Sequence, residues 1–207
     1  MPITINGTTG ISGVDGSAGT PAIIGTDADT GLVFAAGQIT ASLNGSGANV
    51  PLVQGTAQNS TAGTSIDFTG IASWAKRVTV IFNGVSTTGT SDVLVQLGVS
   101  STPTTSGYAG GQSIFSYGSG VLSTTSSAGI PIYNNLATYA FYGQVVLLNV
   151  TGNTWVASGS VTTSSGLNAV VASAGSIALG GTLGMIRITT ASGAPTFDAG
   201  SLNIIYE

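Results

Sequence analysis

The sequence predicts an all-β protein: an antiparallel, jelly-roll-like β-sandwich forming a C-terminal knob, preceded by an extended, turn-rich N-terminal attachment segment. Three observations predict it. From Ser65 onward, short apolar runs alternate with a period of two, and no window carries a capped apolar stripe at helical spacing. The 32 glycines among 207 residues favour many turns over long helices, because glycine loses the most backbone entropy on folding. Ser and Thr fill most positions between Val and Ile, which is strand chemistry. A mean hydropathy of +0.45 argues against the disorder that a Ser/Gly-rich chain otherwise suggests.

Charge is the scarcest commodity. The chain has three Lys and Arg, seven Asp and Glu, no His and no Cys, against roughly 25% charged residues in an average soluble domain. So few cations cannot supply phosphate-neutralising energy, so nucleic acid is not an expected partner. No apolar run approaches the roughly 20 residues of a spanning helix, so no membrane insertion is expected. Met1-Pro2-Ile3-Thr4 has neither basic flank nor apolar core, so synthesis without a signal peptide is expected. Without Cys, stability comes from packing or from association of copies. Association also removes part of a charge-poor surface from water.

Residues 1–60 read as turn after turn. Asn6-Gly7, Gly19-Thr20-Pro21, Gly31 and Asn44-Gly45 punctuate apolar pieces too short for an independent core. The expectation is an attachment or oligomerisation segment covered by other chains, with Ile3, Ile5, Ile11, Ile23 and Phe34 as its apolar contacts. A linker-like run over residues 56–64 then leads into the knob, residues 61–207. Val78, Val80 and Phe82 alternate with Arg77, Thr79 and Ile81. Val93, Val95 and Leu97 alternate with Asp92, Leu94 and Gln96. Asn83-Gly84 and Gly89 supply the turn between them. Residues 100–140 read as looser. Strands then follow at 141–150 and 154–161, around a Thr151-Gly152-Asn153 hairpin, and at 167–179, 183–189 and 201–206.

Two stretches carry a resemblance. Ile3 to Ile11, Gly19 to Ile23 and Asp27 to Phe34 resemble the amino-terminal segment of tailed-bacteriophage tail-fibre and related virion proteins. Ile66 to Val80, with Asn83 to Ser91, is similar to a β domain that recurs in phage and prophage fibre proteins. The resemblance implies a virion surface protein, commonly a parallel homotrimer, held to other virion proteins through residues 1–60. The long shaft of large fibres is absent, which implies a short spike or a decoration on the tail or capsid surface.

Candidate chemistry is sparse. Asp27-x-Asp29-x-Gly31 has the start of a calcium loop without its third ligand or distal Glu; it reads better as a turn, and neither metal nor cofactor is expected. No pair of carboxylates is placed on one strand face, and without His no Ser-His-acid constellation forms. Catalysis is therefore not expected, and a polysaccharide-degrading fibre is only a third reading. Tyr108, Tyr117, Tyr133 and Tyr139 either stack on the sugars of a host glycan or fill the core. Trp74 and Trp155 are expected in the core. Lys76, Arg77 and Arg187 are expected to pair with Asp67, Asp92 or Asp198. The functional expectation is a virion fibre with a host-binding knob; the alternative is a capsid head fibre or decoration.

Overall fold

The computed structural model describes residues 52–116, 120–164 and 169–207, together with the strands of residues 23–24, 31–35, 38–43 and 46–47. The chain divides into two compact units, Met1–Pro51 and Leu52–Glu207. In the first unit, β1 (Ile23–Ile24), β2 (Gly31–Ala35), β3 (Gln38–Leu43) and β4 (Ser46–Gly47) form an antiparallel meander in that order. The short apolar pieces thus pair with one another, with Ile23 opposite Leu32 and Phe34 opposite Ile39. Of the expected attachment contacts, Ile23 and Phe34 lie in these strands; Ile3, Ile5 and Ile11 lie outside the described residues.

The second unit is an antiparallel β-sandwich, as the alternation predicts. Its small sheet runs β10 (Thr102–Pro103), β9 (Val93–Val99), β17 (Leu183–Thr190), β7 (Ser65–Thr69), with β13 (Ile130–Ile132) also pairing with β9. Its large sheet runs β12 (Gly120–Ser126), β11 (Ala109–Ser116), β16 (Val170–Ala178), β15 (Thr154–Thr163), β14 (Phe141–Thr151), β8 (Arg77–Thr87), β18 (Phe197–Tyr206). Two short strands, β5 (Val53–Gln54) and β6 (Gln58–Asn59), flank β18. The chain passes repeatedly from one sheet to the other, which gives the jelly-roll-like character, while β14 to β16 stays in the large sheet as a meander.

The core lies between the sheets. Val78, Val80, Phe82, Phe141, Val145 and Leu147 from the large sheet meet Phe68, Val95, Leu97, Ile186 and Ile188 from the small one. Every one of these is at most 5% exposed, so the burial of apolar area at roughly 25 cal/mol per Å² is the main stabilising term. β9 is covered on both faces, so Leu94 and Gln96, expected to face outward, are buried as well.

Three local expectations change. Residues 52–60, read with the attachment segment and linker, join the sandwich: β5 and β6 pair with β18, and Ser60 is fully buried, donating to the Ala199 carbonyl at 2.7 Å. Asn83-Gly84 does not turn the chain. β8 continues to Thr87 through a bulge, where the register with β14 shifts between Val85 and Asn83. Gly84 takes φ +68° there and Gly200, in a matching irregularity of β18, takes φ +88°. A Cβ on Gly200 would lie 2.3 Å from the Gly84 carbonyl, so two strands approach where only glycine fits. Finally, the loose stretch 100–140 contains the β11–β12 hairpin.

Candidate binding surface

Strand register builds the surface from the residues upward. Side chains alternate across a strand, so Phe115 of β11 shares the outward face with its register partners Val121 of β12 and Val170 of β16. Val170 faces Thr162 of β15, which faces Tyr142 of β14. This transverse row is half-bare: Val121 is 62% exposed, Phe115 51%, Val170 44% and Tyr142 40%. The neighbouring rows are small and hydroxylated, Ser123-Ser113-Ala172-Ser160-Gln144 and Thr125-Gly111-Ala174-Ser158-Val146. Five consecutive strands, β12, β11, β16, β15 and β14, contain no charged side chain.

Over β11 this face sinks into a trough. Two adjoining grooves share Gly111, Thr125 and Ala174; Phe115 and Ser123 border one, Ala109 and Ser127 the other. The small residues remove volume from the floor, and Phe115 leaves an aromatic wall. Hydroxyls beside an apolar ring suit a neutral, hydroxyl-rich ligand such as a sugar. Among the described residues, no acid or base lines the trough.

Of the four expected tyrosines, Tyr108 alone among those described borders the trough. Tyr108 is 5% exposed: its hydroxyl accepts from the Leu97 N–H at 2.7 Å and donates to the Leu97 carbonyl at 3.2 Å. Burial pushes its pKa up to about 12, against a smaller lowering by that backbone bond. It ties the root of β11 to β9, with its hydroxyl turned to the backbone, while it also borders the second of the two grooves. Tyr139 is 1% exposed and packs edge-on to Phe141 at 6.4 Å between ring centroids; burial first, and Tyr133 second, raise its pKa. Tyr133 is partly buried against the core. Tyr117 lies outside the described residues, as do Asp27 and Asp29. Both buried phenols are core side chains because the loops before β11 and β14 fold inward.

Trp155 is buried as expected, but Trp74 is 39% exposed and leans on Tyr206 at 5.7 Å and 43°. Tyr206 borders a separate groove with Leu52, Gln144 and the Arg77–Glu207 pair.

Carboxylates among the described residues are engaged structurally. Asp67 holds Arg187 bidentately at 2.7 and 2.6 Å across the β7–β17 pair, and that hydrogen bonding raises the pKa of Arg187. This is one of the expected ion pairs. Arg77 instead pairs with Glu207 at 3.1 Å, and Lys76 reaches Asn149 Oδ1 at 3.4 Å. Asp92 accepts from Gln112 Nε2 at 2.6 Å and from the Asn134 N–H at 2.9 Å. Asp198 accepts from Ser86. No group of three or more His, Cys, Asp or Glu that could hold a metal occurs among the described residues.

Val121, Ser123, Thr125 and Val170 escaped sequence reasoning. The signal was present as a Val-Leu-Ser-Thr-Thr run with β-branched residues at three positions, but the surrounding glycines and serines gave it a loop-like texture. No family model matches the chain, and no curated protein or solved structure matches it.

Proposed function

We propose that this protein is a bacteriophage virion structural protein, a short tail fibre or spike whose β-sandwich knob meets the host surface. The likeness of residues 3–34 and 66–91 to phage fibre proteins supports the virion assignment, and with it a location on the tail or capsid surface, several copies in the assembly, three by that likeness, and an attachment role for residues 1–51. The observation that carries a binding role is the uncharged outward face, with its trough of Gly111, Ala172 and Ala174 beside Phe115. Its ligand is a neutral cell-surface glycan, stacked on Phe115 and hydrogen-bonded by Ser113, Ser123 and Thr125. Each contact is weak, and many copies on one particle multiply it through effective concentration. Its chemistry is binding without turnover.

Phe115→Ala tests this reading. Because Phe115 is exposed, the variant keeps its thermal midpoint, and adsorption of the particle to host cells falls by about ten-fold or more, as for loss of an aromatic contact at a binding centre. Adsorption equal to that of the parent particle contradicts the glycan-binding reading. A second reading, a capsid decoration, is favoured by the bare apolar row itself, which suits packing between proteins as well. Antibody labelling of intact particles separates the two: tail labelling supports the fibre, shell labelling supports the decoration, and no labelling contradicts the virion assignment.

A further inference from the structure

The strand β12 ends the large sheet on one side; β11 pairs with one of its edges and, among the described residues, no strand takes the other. Natural sheets guard such an edge with charge, proline, a bulge or a cover, because its unpaired N–H and C=O groups template further pairing. β12 reads Gly-Val-Leu-Ser-Thr-Thr-Ser and uses none of the first three: it has no charge and no proline, and its register with β11 runs unbroken over seven residues. At roughly 3.4 Å per residue it offers about 24 Å of continuous edge.

The strand also overhangs the sandwich. Leu122 lies on the inward face, opposite Ile114. Ile114 is 3% exposed but Leu122 is 52% exposed, so the covering layer stops at β11. Val121, on the outward face, is bare as well. A leucine and a valine, each more than half exposed on one open strand, add apolar area that a partner pairing there would remove from water.

We infer that β12 pairs antiparallel with β12 of a second copy of this chain. The charge pattern selects that occupant: an edge and surrounding face without charge give a charged partner nothing to pair with, whereas they fit an equally uncharged copy. The strand is also complementary to itself. Antiparallel pairing centred on Ser123 sets Val121 opposite Thr125 and Leu122 opposite Thr124, and keeps each side chain on its own face. The two Leu122 side chains then sit diagonally, at roughly 7–8 Å between backbones, within reach of each other, and close the overhang that each copy leaves open. The large sheets of two copies become one, and their troughs lie side by side on the same face, still open. The contact is two-fold and separate from the three-fold axis that the fibre resemblance implies. It follows from the edge geometry and the charge pattern, and holds whether or not the protein belongs to a virion.

A chain without cysteine makes the test direct. In the proposed pair, Ser123 faces its own copy at about 4.5–5.5 Å between Cα atoms, within disulfide reach. Ser123→Cys in the full chain therefore forms an interchain disulfide under mild oxidation at least about ten-fold faster than Ser158→Cys, which is exposed in the middle of the same sheet. Adding Leu122→Lys to Ser123→Cys removes that advantage while circular dichroism shows the fold retained. Cross-linking of Ser123→Cys no faster than that of Ser158→Cys overturns the inference, whether the chain then sediments as a monomer, its edge covered by its own residues 1–51, or as an oligomer built on another face. Antibody labelling of particles tests the virion reading separately, so the two can fail independently.

Discussion

Two hairpins of the same sheet are built on different physics. In β14–β15, Phe141, Val145, Leu147, Trp155, Ala157 and Val161 all point inward and are at most 7% exposed, so apolar burial holds the hairpin. In β11–β12, the inward positions are Gln112, Ile114, Leu122 and Thr124, and only Ile114 is a buried apolar side chain. Polar contacts anchor this hairpin instead. Gln112 donates to Asp92 at 2.6 Å and to Thr124 Oγ1 at 2.8 Å. Tyr108, just before β11, exchanges two hydrogen bonds with Leu97. One hairpin is closed and structural; the other is held by a few polar pegs and left with a bare edge.

The sharpest way to break that contrast is truncation at matched positions. Phe141→Ala is expected to cost about 3–5 kcal/mol, the usual range for a buried aromatic, whereas Leu122→Ala stays within about 0.5 kcal/mol in the dissociated chain. Chemical denaturation at low protein concentration measures both, and equal losses would erase the distinction. Gly200→Ala is expected to cost about 2–4 kcal/mol, since it combines a left-handed backbone with a Cβ driven into the Gly84 carbonyl. A thermal midpoint within a degree of the parent would mean that the paired bulges relax freely.

The polar pegs carry a pH signature. The neutral phenol of Tyr108 is favoured in the folded state, with its pKa raised from 10 to about 12. Its contribution is fully present below pH 10 and is lost as the pH rises through 12, about 2–3 kcal/mol over that window. Tyr108→Phe lowers stability at neutral pH by about 1 kcal/mol and flattens the decline between pH 10 and 12. A parent-like decline in the variant would assign the alkaline loss to Tyr139, whose pKa is also raised by burial.

The same contrast explains what could be read from the sequence. Val78-Val80-Phe82, Phe141 to Val150 and the Thr151-Gly152-Asn153 turn follow the period-two rule and emerge as β8, β14 and the β14–β15 hairpin. β11 and β12 were hidden because polar pegs have no periodicity: Gln112 finds Asp92 only through the fold. Trp74 was misplaced because its partner, Tyr206, is 132 positions away at the chain's other end. The burial of Tyr108 and Tyr139 was hidden for a related reason, since a buried phenol looks like one in an exposed loop until the strands are placed. Phe115 sits in a Gly- and Ser-rich stretch that gives its direction no signal, and its outward direction follows only from register with Val121 and Val170.

The central claim is that β12 leaves the large sheet with its longest unguarded edge among the described residues, and that a second copy covers that edge. Amide hydrogen exchange of the full chain at a series of concentrations tests it most directly. Amides of residues 120–126 should gain protection as concentration rises and lose it on dilution, while those of β14 and β15 stay protected throughout. Protection of residues 120–126 that does not change with concentration, or exchange of β14 and β15 as fast as that of β12, would contradict the account.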